Sequence, residues 1–181
     1  MHFFLCTKNF IIRCVSGNAR SFMFAQGHTR LKAMPSNPQR LEDLGEIPAE
    51  FKKTLSGENF FIYDTYEDDD NDNDTRVIVF ATTENLRMLF RCSVWFVDGT
   101  FKISPSIFFQ VFAILGALTQ PDNKGGTQTI GLPFVYALSE SKEQIAYRKI
   151  FDAVLEHARR HELNLTLPST IMSDFEIGII N

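Results

Sequence analysis

The chain has 181 residues, of which 44% are hydrophobic and 22% are charged, and its formal net charge is −4. These values are ordinary for one globular domain with a core and an additional arm, and they exclude a disordered or fibrous chain. The spacing of the three cysteines is irregular, which excludes a disulfide framework, and the longest apolar run, 107–118, is too short to span a bilayer.

The first half of the chain has little regular pattern before a predicted hairpin. Residues 1–33 show no clean period, so we predict a poorly determined arm that packs weakly on the rest. Lys8 and Arg13 interrupt the apolar residues of this arm, and no signal peptide is predicted. Residues 34–92 form a second segment, in which the strands NFFIYD and TRVIVFAT flank an exposed acidic tip and a short helix follows. The segment 61–74, which includes this tip, contains seven acidic residues and no Lys or Arg.

The core is predicted over residues 93–181. Three strands follow one another in the sequence: VWFV, which ends at Asp98, then IFFQVFAILGAL and TIGLPFVYALSE. Pro133 within the third strand predicts a sheet edge, because proline cannot donate a hydrogen bond to a neighbouring strand. A helix then begins near a capping box of Ser141 and Gln144, and the segment STIMSD forms a fourth strand.

The order of these elements predicts where the strands lie in space. A crossover through the helix makes the fourth strand parallel to the first, so the predicted mixed α/β sheet has the strand order 3-2-1-4. Asp98 and Asp174 then lie at the carboxyl ends of neighbouring parallel strands, where open α/β sheets place their ligands. Two carboxylates that converge there offer oxygen ligands for a divalent metal ion. The alternative interpretation is a pair of strand-end aspartates in ordinary turns.

Three segments resemble the transposase domain of Mutator-like elements. They are VWFVDGTFKISPSIFFQVFAIL, GLPFVYALSESKEQIAY and IMSDFEIGIIN, and the similarity covers about residues 40–181. The resemblance implies a ribonuclease-H-like fold in which two aspartates and one glutamate hold two divalent ions, Mg²⁺ or Mn²⁺. Asp98 matches the first catalytic aspartate and Asp174 the second, so the resemblance makes both of them catalytic residues and metal ligands.

The resemblance also predicts what the chain lacks. In the family the catalytic glutamate lies well downstream of the second aspartate, whereas this chain ends at Asn181. We therefore expect a truncated core without the third carboxylate and the fifth strand, and with little or no activity by itself. By resemblance, the partners are DNA, as transposon ends and target, and a second copy of the chain, and the location is the nucleus. The alternative is a non-catalytic remnant or a domesticated module that binds DNA or protein.

Other charged residues give weaker signals. Glu140, Glu143 and Glu176 are interpreted as favourable charges near helix starts rather than as site residues. His157 and His161 have the i,i+4 spacing of a zinc site, but no further ligand is in register, which favours surface histidines.

Overall fold

The structure is a computed structural model that describes residues 38–67, 75–101, 103–122 and 125–174, together with two strands near the N-terminus. Within these residues the chain forms an α/β fold with two α-helices and a mixed six-stranded sheet. The elements in chain order are β1 (His2–Cys6), β2 (Ile11–Val15), β3 (Phe61–Asp64), β4 (Val77–Phe80), α1 (Thr83–Leu89), β5 (Val94–Thr100), β6 (Gln110–Pro121), β7 (Thr127–Ser139), α2 (Gln144–Arg160) and β8 (Thr170–Ser173).

The first two strands form a small sheet of their own. β1 and β2 pair antiparallel, from His2 opposite Val15 to Cys6 opposite Ile11. The sequence analysis assigned no secondary structure to this arm, so these two strands are an addition to it. The packing of the arm on the rest, and the acidic run 68–74 with its predicted exposure, lie outside the described residues.

The main sheet has the strand order β3-β4-β7-β6-β5-β8. Among these described strands, β5 and β8 pair in parallel and every other pair is antiparallel. The parallel pairing, predicted from the helix crossover, is confirmed. The predicted edge is wrong, because β4 pairs with β7 from Val77 opposite Ser139 to Phe80 opposite Tyr136. The hairpin β3–β4 therefore belongs to the main sheet, whereas the sequence analysis placed it in a separate segment before the core.

Pro133 fits inside β7 because of two local features. β4 reaches only as far as Tyr136, so this described neighbour of β7 stops before the proline. On the other side the register with β6 shifts between Ile114, which is opposite Val135, and Leu115, which is opposite Pro133. The shift gives β7 one extra residue, and such a bulge is one of the places where a sheet tolerates proline. The proline therefore marks an irregular point within the sheet rather than its edge.

Both helices cover one face of the main sheet. Thr82 caps α1, since its side chain accepts a hydrogen bond from the backbone N–H of Asn85 over 3.0 Å. In α2 the buried residues recur at helical spacing, and Ile150 and Val154 pack against the sheet. This face holds the larger of the two hydrophobic clusters, and β5 contributes the buried Trp95 to it.

Irregular chain covers part of the opposite face. A second cluster joins Ile78 of β4 and Val111 of β6 with Phe60 and Phe108 from the flanking loops. The four residues of β8, in contrast, are all exposed. The hydrophobic core therefore extends as far as β5, and β8 lies at its margin.

Candidate functional site

The two predicted site residues lie at one end of the β5–β8 pair. The parallel register of these strands ends with Val97 opposite Ser173. Asp98 and Asp174 are the next residues on the two segments, so they are neighbours across the pair. Both residues are exposed. The structure therefore brings the two aspartates together where the parallel pairing of β5 and β8 ends, two residues before the end of β5.

The alternation of side chains decides which face the aspartates occupy. Val97 is buried in the cluster under the helices, so Phe96 and Asp98 point to the other face of the sheet. Phe96 is opposite Met172, and residues in register on parallel strands share a face. Two residues further along, Asp174 falls on the face of Asp98. We call these two exposed aspartates the carboxylate edge.

The carboxylate edge concentrates oxygen ligands and negative charge. The backbones of neighbouring strands lie about 4.8 Å apart, so the two side chains start close enough for their carboxylates to share one cation. Hard divalent cations prefer such oxygen ligands. The described residues form no group of three or more His, Cys, Asp or Glu side chains that could hold a metal ion. The two aspartates thus fit part of a ligand set for a divalent ion, but not a complete set.

The other acidic candidates do not join this pair. Glu140 follows β7, and its carboxylate accepts the backbone N–H of Arg76 over 3.0 Å. Its carboxylate therefore binds the backbone next to β4. Two strand spacings, about 10 Å, separate β7 from β5. Glu143 is the N-cap residue of α2 and its side chain makes no capping hydrogen bond. Glu176 lies outside the described residues.

Two exposed phenylalanines flank the connection between β5 and β6. Phe101 follows β5 and Phe109 precedes β6, and these residues are 47% and 45% exposed. Their ring centroids are 5.3 Å apart with an interplanar angle of 77°, an edge-to-face arrangement. We call them the aromatic pair. The sequence signal that could have revealed it is the doublet of Phe108 and Phe109 next to a turn, of which Phe108 is buried and Phe109 is exposed.

A buried ion pair lies near the opposite edge of the sheet, between the end of β3 and the start of β4. The sequence analysis did not predict it. Asp64 ends β3 with a fully buried side chain. Arg76, just before β4, donates from Nε to Oδ1 over 3.1 Å and from Nη2 to Oδ2 over 2.7 Å. Nη2 also donates to the carbonyl oxygen of Gly45 over 2.6 Å. The pair thereby joins the end of β3 and the start of β4 to the segment before them.

The two histidines of α2 stack on each other, with ring centroids 4.3 Å apart. His157 is half-buried, and its Nε2 lies 3.4 Å from Oγ1 of Thr83. Burial lowers the pKa of His157 to about 4, and the charges of His161 and Arg160 act in the same direction. The prediction of surface histidines therefore holds for His161 and fails for His157. A groove of about 440 Å³ between β3 and α2 includes His157 in its lining.

Comparisons with known proteins do not assign the chain to a family. No family model, no curated protein and no solved structure matches it. In the described part of the chain, neither helix has the length and apolar composition that crossing a bilayer requires.

Proposed function

We propose that this chain carries the first two catalytic aspartates of a Mutator-like DNA transposase with a ribonuclease-H-like core. The reaction of such a core is metal-dependent cleavage and transfer of phosphodiester bonds. The observation that carries the proposal is the register of β5 and β8, which ends one residue before Asp98 and Asp174. Most of the core lies between these two residues in sequence, and the helix crossover brings them side by side.

The chain's own contribution is to place two carboxylates side by side, with Asp98 on a rigid strand and Asp174 next after β8. Asp98 lies within a strand that is paired on both sides, with Ala113 of β6 opposite it and β8 on the other flank. A side chain placed on such a rigid element is held more closely than one on a loop. Asp98 and Asp174 would bind Mg²⁺ or Mn²⁺ through carboxylate oxygens. The bound ion would activate a water or a 3′-hydroxyl group for attack on the phosphorus.

Two aspartates leave a two-ion site incomplete. Phosphoryl transfer by this route needs ligands that fix two ions about 3.5–4 Å apart. The described residues form no group of three potential ligands. We therefore propose one weak divalent-ion site and little or no cleavage or strand transfer by this chain alone. The partners in this proposal are transposon-end and target DNA and a second copy of the chain, in the nucleus.

A second candidate function is a non-catalytic module that binds DNA or protein. The observation that favours it is the exposure of β8, in which Ile171 and Met172 are 49% and 53% exposed. Apolar side chains on an open edge strand are typical of surfaces that bind another molecule. Such a module requires no metal ion at the carboxylate edge.

Metal binding separates the two candidates. We would titrate Mn²⁺ into the full 181-residue chain and measure the free ion by electron paramagnetic resonance. Asp98→Asn and Asp174→Asn should each weaken Mn²⁺ binding by at least about ten-fold, since each removes one of two direct ligands. Asp152→Asn is the matched control, because it removes one exposed carboxylate from α2 and should leave binding unchanged.

Two results would overturn the catalytic proposal. One is the absence of Mn²⁺ binding in the wild-type chain, and the other is Mn²⁺ binding by both edge variants that is as tight as in the wild type. The same preparations should be assayed for DNA cleavage with Mg²⁺ or Mn²⁺, and we expect no robust activity. Robust cleavage that disappears in both Asp98→Ala and Asp174→Ala would show that another carboxylate completes the site.

A further inference from the structure

The connection between β5 and β6 holds the aromatic pair in a defined position. The backbone N–H of Ser104 donates to the carbonyl of Phe101 over 3.2 Å, and its hydroxyl donates to the carbonyl of Phe108 over 3.0 Å. The backbone N–H of Phe109 donates to the carbonyl of Ser139 over 2.9 Å, which fixes this end of the loop to β7. Phe108 is buried and anchors the loop in the second cluster. The two exposed rings are therefore presented by a tied loop.

A positive charge accompanies the exposed rings. The ammonium group of Lys142 lies 5.7 Å from the centroid of the Phe109 ring, within the range of a cation–π contact. Among the described residues, no carboxylate forms an ion pair with Lys142. Half-exposed aromatic faces beside an available ammonium group match a ligand that combines a flat ring with a negative charge.

The aromatic pair lies at the same end of the sheet as the carboxylate edge. Phe101 is three residues beyond Asp98, which corresponds to roughly 10 Å along an extended chain. One strand of DNA rises about 3.4 Å per nucleotide, so this distance corresponds to about three nucleotides. A DNA strand that crosses this end of the sheet can therefore contact the carboxylate edge with one phosphate and the rings with a base about three nucleotides away.

We propose that Phe101, Phe109 and Lys142 form a stacking site for an unpaired base of a DNA strand that reaches the carboxylate edge. The rings would stack on the base, and the ammonium group would bind a neighbouring phosphate. This inference rests on the proposed function, because that function requires a DNA strand to reach the carboxylate edge. A purely apolar protein partner is the less favoured occupant, because it would leave Lys142 without a counter-charge.

The test measures binding of a labelled DNA single strand of about 12 nucleotides to the full chain by fluorescence anisotropy. EDTA in the buffer removes divalent ions, so the result does not depend on metal binding by Asp98 and Asp174. Phe101→Ala and Phe109→Ala should each weaken binding by about five-fold or more, the range of base–aromatic stacking. Leu55→Ala is the matched control, because it removes an apolar side chain that is 59% exposed elsewhere on the surface.

A second variant reports on stacking directly and does not depend on truncating a side chain. Phe109→Trp keeps an aromatic ring at the site, and its exposed indole emission should be quenched by the single strand. A strand of the same length made of abasic residues should bind less tightly and should not quench. Equal affinity of the wild type and both alanine variants, equal binding of the abasic strand, or no binding of the single strand would overturn the stacking site.

Discussion

Three strands of the main sheet carry aspartates in or next to them, and these aspartates have two contrasting surroundings. Asp64, at the end of β3, is fully buried and receives two hydrogen bonds from Arg76. Asp98, within β5, and Asp174, next after β8, are exposed. A buried charge persists only with a partner, whereas exposed neighbouring carboxylates stay available for a ligand. The comparison indicates that the first carboxylate holds the fold together and that the other two are free to bind.

Removing the partner of the buried carboxylate should have the largest effect. Arg76→Met leaves Asp64 buried without a counter-charge and should lower the free energy of unfolding by about 3–5 kcal/mol. Urea denaturation measures this loss. Arg40→Ala, which breaks the exposed pair with Glu42, should change it by less than about 1 kcal/mol. A loss at Arg76 as small as the loss at Arg40 would remove the basis of the comparison.

A smaller effect is expected where the interior of the sheet is tightly packed. A methyl group on Gly116 would lie 2.6 Å from Sγ of Cys92 and 2.8 Å from the ring of Phe134. Gly116→Ala should therefore lower the free energy of unfolding by about 1–3 kcal/mol through overpacking. Gly131→Ala is the matched control on β7, since its nearest neighbour would be Leu115 at 3.6 Å, an ordinary contact. Equal stabilities of the two variants would contradict this prediction.

The free energy of unfolding should also depend on pH, because of the half-buried His157 in α2. The pKa of His157 is lowered to about 4, from an ordinary value of 6.5. Between these values the unfolded chain binds the proton and the folded chain does not, so stability falls as the pH falls from 6.5 towards 4. With allowance for solvent screening at this half-buried site, we expect a loss of about 1 kcal/mol. Denaturation across this pH range should show the slope, and His157→Gln should flatten it. His161→Gln should keep most of it, because burial is the main cause of the shift.

The smallest effect on stability is expected at the carboxylate edge. Asp98→Asn and Asp174→Asn replace exposed side chains without a change in size, so the free energy of unfolding should change by no more than about 0.5 kcal/mol. Urea denaturation in EDTA measures this change in the absence of a bound ion. A loss comparable to that of Arg76→Met would mean that these aspartates are part of the fold, and the contrast with Asp64 would disappear.

The sequence predicted the part of the fold that rests on local pattern and chain connectivity. The parallel pairing of β5 with β8 follows from the handedness of a helix crossover, which hardly depends on side-chain detail. The position of the β3–β4 hairpin could not be predicted this way, because edge pairing depends on contacts between distant segments. Pro133 misled the edge prediction, since a bulge can satisfy the same rule. The capping box at Ser141 was also misleading, because α2 begins at Gln144 with Glu143 as its N-cap.

The candidate site was predictable in part for similar reasons. Asp98 and Asp174 each follow an apolar run, and a strand end is visible in sequence. The pairing of Asp64 with Arg76 is not visible, because a run of acidic residues separates them and Asp64 looks like one of that run. The aromatic pair was not predicted because Phe is frequent in this chain, with 18 residues, and the sequence does not show which of them are exposed.

The attachment of β8 has a consequence for the order of folding. Its first contacts join Ser169 to Ser93, 76 positions earlier, through hydrogen bonds to the carbonyl of Ser93. Closing a loop of that length in an unfolded chain costs about 4 kcal/mol in entropy. The exposed residues of β8 bury too little surface to offset much of this cost. We therefore expect β8 to dock last, once α2 is in place, and to open first in native-state hydrogen exchange. The carboxylate edge would then be assembled and released without unfolding the core, and an ion that binds both aspartates would slow that opening.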